Sequence, residues 1–313
     1  MKATLTDLLI CPTCLPKEIA LACDIMEKDG EDILSGALLC GQCGTEYPVQ
    51  DGIAYLLPRS FPKYGQDSSK YESPFLVSAY LWSHYADLSE DMDANTAYGE
   101  WAKLLDYYPG LSLDAGCAVG RFAFEMSDRS EFVVGIDNSQ AFIREARRLM
   151  THHELRFSQT IEGKLVENRV IELPNAWRTN RIDFLVGDVQ SIPFRSNSFS
   201  SIASLNLVDK IPGPLAHLKE VDRVALEEKV QFLFSDPFSW SSEIAREEEW
   251  LGGTNKGPYS GRAWDNIIKI LSRRGPEDLL PWQIEKQGHV WWKIRNHQNH
   301  FEHIRSCFIK ARR

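Results

Sequence analysis

Four cysteines near the start of the chain restrict its folding more than any other feature. They form two knuckles, Cys11-Pro12-Thr13-Cys14 and Cys40-Gly41-Gln42-Cys43. Two CxxC turns can set four thiolates at the corners of a tetrahedron, the geometry Zn²⁺ prefers. The expected ligands are Cys11, Cys14, Cys40 and Cys43, with residues 15–39 looping out as a β-hairpin. Four sulfur ligands close the coordination sphere, so the metal would be structural. So short a segment has little core of its own, and the metal would help to fold it. Cys23, Cys117 and Cys307 stand alone and read as small core residues.

Composition bears on partners and location. Of 313 residues, 43% are hydrophobic and 25% charged, which excludes disorder and small disulfide scaffolds and allows about two domains. Lys plus Arg number 35 against 44 Asp plus Glu, a net charge of −9. Such a chain is a poor generic partner for nucleic acid or anionic membrane, because each phosphate contact wants a cation. No apolar run approaches the roughly 18 residues that span a bilayer. Asp7 interrupts the apolar start, so no signal peptide is read there. Clustered cysteines that bind metal fit a reducing compartment, so a cytoplasmic location is expected. Whether the chain forms a homo-oligomer is left open.

Residues 59–75 are rich in Pro, Ser, Lys and Gly and read as a linker. From Leu111 onward, short apolar runs alternate with amphipathic stretches. The runs are Leu111–Leu113, Phe132–Ile136, Ile182–Val186, Ser201–Leu207 and Val230–Phe234. This alternation predicts an α/β fold, a mostly parallel sheet covered by helices. The expected division is 1–58, a linker over 59–75, and a second domain over 76–313 with an insertion at about 151–180.

The turn Leu113-Asp114-Ala115-Gly116-Cys117-Ala118-Val119-Gly120-Arg121 falls where the first of these strands meets a helix. Small residues there let a ligand approach the backbone, beside the free N–H groups of a helix start. Asp137 ends the next apolar run and could accept hydrogen bonds from ribose hydroxyls. Asp188 follows the third run, in Val186-Gly187-Asp188-Val189-Gln190. Together these resemble the motifs of class I S-adenosylmethionine-dependent methyltransferases, with Ala118 where a middle Gly is usual. The resemblance implies a Rossmann-like domain that binds the cofactor through Asp114, Gly116, Cys117, Gly120, Asp137, Asn138, Asp188, Val189 and Asn206.

Two narrower resemblances follow. Residues 1–58, with Leu8-Leu9-Ile10-Cys11-Pro12 and Tyr47-Pro48-Val49-Gln50-Asp51-Gly52-Ile53, look like the small zinc-ribbon activator subunit of tRNA methyltransferases. Residues 75–313 are similar to the C-terminal methyltransferase domain of ovothiol synthases, which N-methylates 4-mercaptohistidine. The segments that carry this are Ala79-Tyr80-Leu81-Trp82-Ser83-His84-Tyr85, Asn206-Leu207-Val208-Asp209-Lys210-Ile211, Ser235-Asp236-Pro237-Phe238-Ser239-Trp240 and Trp250-Leu251-Gly252-Gly253. Ile294-Arg295 fits the same family, but Asn299 stands where a second Arg is usual.

The second resemblance implies N-methylation of an imidazole or thio-imidazole amino acid, a small-molecule acceptor. Asn206, Asp209 and Tyr85 are the expected catalytic groups. Tyr80, Trp240, Trp250 and Arg295 are the expected substrate contacts, with Ser241–Glu249 as a lid. Alternative readings are an rRNA or tRNA base methyltransferase with a zinc module, and a non-catalytic cofactor-binding scaffold. His289, His297, His300 and His303 lack a fixed metal partner. The basic tail around them reads as a solvated terminal strand.

Overall fold

In the computed structural model, residues 1–61, 68–272 and 279–313 are described. The predicted linker therefore lies partly outside the described residues, at 62–67. Its remainder holds a 3-10 turn at Ser68–Glu72. Ser73 then caps the first α-helix by accepting the Leu76 N–H at 3.3 Å.

The chain begins with four strands, β1 (Leu21–Asp29), β2 (Asp32–Cys40), β3 (Glu46–Gln50) and β4 (Ile53–Leu56). The helices α1 (Pro74–Tyr85) and α2 (Ala97–Ala102) follow. Next come β5 (Leu111–Ala115), α3 (Arg121–Met126), β6 (Phe132–Asp137) and α4 (Gln140–His152). A hairpin of β7 (Glu154–Glu162) and β8 (Leu165–Glu172) precedes β9 (Ile182–Gly187) and β10 (Phe199–Leu205). Then come α5 (Pro214–Val224), β11 (Gln231–Asp236), α6 (Ala263–Ser272), β12 (Gln283–His297) and β13 (His300–Arg312).

One sheet runs through the molecule in the order β1-β2-β3-β4-β9-β6-β5-β10-β11-β13-β12. Its centre, β4 to β11, is parallel, and both flanks are antiparallel. The fold is thus a Rossmann-like α/β domain extended by an N-terminal ribbon. The predicted hairpin between the knuckles is β1–β2. The residues expected as an insertion form β7–β8, a separate two-stranded ribbon.

Central strands are buried on both faces, so their sequences are apolar runs without alternation. Successive side chains still point to opposite faces. Phe232 and Phe234 join the core beneath α5 and α6, whereas Leu233 joins the one beneath α1 to α4. The first core also contains Leu5, Leu9, Leu38, Val49 and Leu56 of the N-terminal ribbon. The ribbon therefore shares a core with the larger domain. Its β4 pairs parallel with β9, Tyr55 beside Val186 and Leu56 beside Gly187. A buried ion pair reinforces the joint: Arg147 of α4 meets the fully buried Asp183 and, at 3.5 Å, Asp32 of the ribbon.

The C-terminal hairpin differs from expectation. The tail is not a solvated strand: β13 is sandwiched between β11 and β12. Lys310, only 3% exposed, pairs with Asp106 and with Glu285, while Arg313 pairs with Asp222. Burial on both sides forces these cations to find partners. Among the described residues, no helix is long and apolar enough to cross a membrane.

Candidate functional site

The two halves of the sheet diverge between β5 and β10, since the chain winds from β5 to β6 and β9 on one side and from β10 to β11 on the other. At such a switch point the loops beyond the strand ends part and leave a crevice. A cavity lies there, enclosing about 730 Å³ with its open mouth included. Gly116, Asp137, Asn138, Val189, Asn206 and Tyr80 line it, bringing six of the sequence-selected residues together, with Ala118 beside them.

The Gly-rich turn makes this possible through its backbone. Gly116 has φ +76°, and a Cβ there would sit 2.7 Å from Leu207 Cδ1. Gly120 has φ +86°, and a Cβ would meet Phe184 and Ala146 within 3 Å. Both the handedness and the tight packing require glycine. Ala118, in place of the usual Gly, also takes a positive φ of 45°. Its N–H donates to Asp137 Oδ2 at 3.0 Å, and the Ser139 N–H donates to Oδ1 at 2.9 Å. Burial nevertheless raises the Asp137 carboxyl to about 6.

Other motif residues stand behind this wall. Asp114 is buried beneath the turn, accepts a backbone hydrogen bond from Ala123, and is pushed up to about 8 by burial. It organises the start of α3 and does not line the cavity. Cys117 packs under the turn, with Sγ 3.0 Å from where a Gly135 Cβ would be. Gly120 caps α3 in left-handed conformation, also outside the lining. Asp188 accepts the Gln190 N–H at 2.9 Å and lies between two lining residues, Gly187 and Val189. Buried His217 supports Val189: its Nδ1 is 3.1 Å from the Val189 carbonyl and its Nε2 is 2.9 Å from Ser204 Oγ. Burial lowers this histidine to about 4, so it stays neutral.

A second cavity continues from the first. The two share Tyr71, Tyr80, Asn206, Lys210 and Trp292. Lys70, Leu76, Pro237 and Ser239, with Ile294, Asn296, Glu302 and Ile304 of the β12–β13 hairpin, complete its wall. Asn206 stands at the junction with φ +54°. Its N–H donates to the Ser235 carbonyl at 2.6 Å, and the Ser306 hydroxyl donates to its Oδ1 at 2.6 Å. Its amide NH₂ makes no hydrogen bond among the described residues. Tyr80 belongs to an aromatic wall, with ring centroids 6.2 Å from Tyr71, 6.1 Å from Trp292 and 4.8 Å from Phe142.

Several expected contacts are placed elsewhere. Tyr85 is buried, and its hydroxyl donates to the Val119 carbonyl at 2.7 Å, so it braces the turn instead of facing a ligand. Asp209 is also buried. Its Oδ2 accepts the Ser239 N–H at 2.8 Å and pairs with Lys210 Nζ at 2.9 Å. It lines neither cavity and reaches them through Lys210 and Ser239, and α5 takes its cap from Gly213. Burial and the charge of Asp209 hold the neighbouring Asp236 far above the usual carboxylate range. Arg295 is 5% exposed and committed to Gln159 and Glu167 of the β7–β8 hairpin, at 3.3 and 3.1 Å. It lines neither cavity. Trp240 and Trp250 stack on one another at 6.1 Å, and the Trp250 indole donates to the Ala245 carbonyl. They stiffen the loop over residues 241–249 without reaching the cavities.

Sequence reasoning missed Tyr71, His84, Tyr98, Phe142, Lys210 and Trp292, all on the cavity walls. Only His84 and Lys210 lay inside quoted segments. The others come from helices and a hairpin that tertiary packing folds over the strand ends.

In the ribbon, the sulfurs of Cys11, Cys14, Cys40 and Cys43 lie within 4.8 Å of one another. Cys11 Sγ is 3.6 Å from Cys43 Sγ, and Cys14 Sγ is 3.7 Å from Cys40 Sγ. This all-sulfur set can hold a metal ion. None of the four lines either cavity. The cavity beside the Gly-rich turn likewise fits S-adenosylmethionine: its glycines leave room at the backbone, and the Asp137 carboxyl on its wall could accept hydrogen bonds from hydroxyl groups.

Comparison with known proteins is consistent with this geometry. Residues 113–229 match the family described as a methyltransferase domain. A protein solved in work on converting a disulfide bond into a thioacetal during echinomycin biosynthesis is 17% identical (TM-score 0.47), covering 79% of this chain and 89% of its own. An S-adenosylmethionine-dependent methyltransferase of Methanosarcina mazei is 18% identical (TM-score 0.43), with 67% and 99% covered. A chain from the complex of a Haloferax volcanii methyltransferase activator with a methyltransferase is 11% identical (TM-score 0.45), with 80% and 98% covered. No curated protein matches the sequence.

Proposed function

We propose that this chain, an S-adenosylmethionine-dependent methyltransferase, N-methylates a small imidazole or thio-imidazole amino acid such as 4-mercaptohistidine. The observation that carries this reading is the second chamber, which opens from the cofactor cavity at Asn206 and joins aromatic and amide side chains with the charged Lys70, Lys210 and Glu302 on its wall. Tyr80 and Trp292 meet edge to face and would form one aromatic wall against which a planar ring could pack. Asn206, held by Ser306 and the Ser235 carbonyl, would donate its amide NH₂ to the acceptor. Lys210, tethered by Asp209, would face an anionic group.

The cofactor supplies an activated methyl group when bound. The protein's part is therefore to position the acceptor and exclude water. A neutral imidazole nitrogen has a reference pKa near 6.5 and is a nucleophile at pH 7. No strong base is demanded, in keeping with Asp209 lying behind the wall. Asp137 would accept the ribose hydroxyls and Val189 would flank the adenine.

The four ribbon cysteines would hold Zn²⁺ as a structural ion in a cytoplasmic protein. The net charge of −9 and the hairpin over the chamber weigh against an RNA substrate. Reaching this chamber would oblige a nucleic acid to extrude a base.

The test is a methyl-transfer screen read by mass spectrometry, offering histidine, 4-mercaptohistidine and rRNA fragments. A gain of one methyl on the imidazole amino acid is expected, and it should fall by about 10-fold or more in Asn206→Ala. Methylation of rRNA alone would overturn the small-molecule assignment.

A further inference from the structure

Tyr85 and Arg121 fasten the end of α1 to the Gly-rich turn. The Tyr85 hydroxyl donates to the Val119 carbonyl. Arg121, the residue after Gly120, donates to the His84 carbonyl at 2.5 Å and pairs with Asp87 at 2.6 Å. Both are buried, so α1 cannot slide along the turn. The residue fixed in this way is His84, whose ring forms part of the cavity wall with Gly116 and Ala118.

His84 is 3% exposed. Its Nε2 lies 2.6 Å from the hydroxyl of Tyr98, another wall residue. Its Nδ1 has no hydrogen-bond partner. A buried polar atom left unsatisfied is costly and asks for an explanation. Burial and the nearby Arg121 charge hold the imidazole far below its ordinary pKa, so the ring is neutral. A neutral ring paired with a phenol offers both an acceptor and a donor.

The polar groups along the cavity already have assignments. Val189 lies just beyond β9 and Asp137 ends β6, and they are proposed for the adenine and the ribose. Asn206 marks the end of β10, at the junction with the acceptor chamber. The wall over Gly116 remains, where a ligand lying across these strand ends would place its amino-acid group. That group, an ammonium and a carboxylate, needs both an acceptor and a donor.

We propose that His84 and Tyr98 form the recognition pair for the amino-acid end of S-adenosylmethionine. This rests on the cofactor assignment and extends it to two residues outside the matched methyltransferase segment, 113–229. They act as a specificity device, separating the full cofactor from nucleosides that lack its amino-acid arm.

The test compares two ligands by calorimetry on the full chain: S-adenosylhomocysteine, which carries the amino-acid arm, and 5′-methylthioadenosine, which lacks it. His84→Phe and Tyr98→Phe are measured beside the parent, with near-UV circular dichroism as the check on folding. Affinity for S-adenosylhomocysteine should fall about 10-fold or more in each variant. Affinity for 5′-methylthioadenosine should stay within about twofold, because the nucleoside contacts are untouched. Equal losses for both ligands, or none for S-adenosylhomocysteine, would overturn the pair's role. A parent protein that binds neither ligand would instead refute the cofactor assignment and the pair with it. Tyr98→Phe removes a single oxygen and keeps the ring, so it decides the matter even if His84→Phe folds poorly.

Discussion

The N-terminal ribbon and the cofactor cavity are organised in opposite ways. The ribbon is defined by four cysteines in two short knuckles, so its centre is local in sequence. The cavity gathers residues from Tyr71 to Trp292, and no short segment contains it. Yet the ribbon is the less independent of the two. Its apolar side chains share a core with Leu113, Val134 and Leu185 of the central sheet. Its last strand lies against β9, whose end supplies Gly187 to the cavity and leads to Val189. A locally specified unit can thus rely on a distant one for its core, and in return fix the edge of the distant site.

Three experiments press on this contrast. The largest effect is expected from Cys11→Ser or from chelation of the proposed zinc. Losing a sulfur ligand should lower Tm by about 10 °C or more, because metal binding is part of the folding free energy. Thermal denaturation with metal analysis checks this. If the ribbon only braces itself, cofactor affinity will be unchanged. If β4 positions β9, cofactor affinity will fall with the metal.

A smaller effect is expected at the joint. Arg147→Met leaves Asp183 buried without its cationic partner, at a cost of about 3–5 kcal/mol. Urea denaturation should show one cooperative transition shifted to lower denaturant. Two separate transitions would mean that the ribbon and the larger domain fold independently.

The smallest effect on stability belongs to Asp137, where binding should instead change most. Its carboxyl is raised from 3.8 to about 6. In the unfolded chain it ionises first, so it takes stability away as pH rises from about 4 to about 6. Asp137→Asn removes that penalty but turns an NH₂ toward the N–H of Ala118 or Ser139, so the two effects oppose and Tm at pH 7 should stay within a few degrees of the parent. The same variant should abolish most of the thermal shift given by S-adenosylmethionine. In the parent protein, cofactor affinity should decline as pH falls through about 6, when the carboxyl takes a proton and accepts less well from ribose. A pH series of calorimetric titrations checks this, and a flat profile would count against Asp137 as the ribose acceptor.

Much of the architecture was legible in the chain. The five apolar runs became β5, β6, β9, β10 and β11, because parallel strands covered on both faces must be apolar throughout. Gly116 and Gly120 stood out because a left-handed turn and close packing leave no room for a side chain. The substrate side was harder to read. Tyr85, Arg295, Trp240 and Trp250 carry suitable chemistry, but packing gives their polar atoms to Val119, the β7–β8 hairpin and Ala245. An aromatic or a cation in a sequence does not show which way it will face.

The sequence by itself determined the cysteine cluster, the alternation that builds the doubly wound sheet, and the turn that opens the cavity. These follow from local geometry: knuckle spacing, strand burial and positive φ. Only the tertiary structure decided that the ribbon extends the same sheet. It alone set His84 and Tyr98 against the turn, withdrew Arg295 into an ion pair, and brought the C-terminal hairpin over the second cavity. Each of these depends on contacts between residues far apart in the chain, where burial drives polar groups such as the Arg295 guanidinium to the partner within reach.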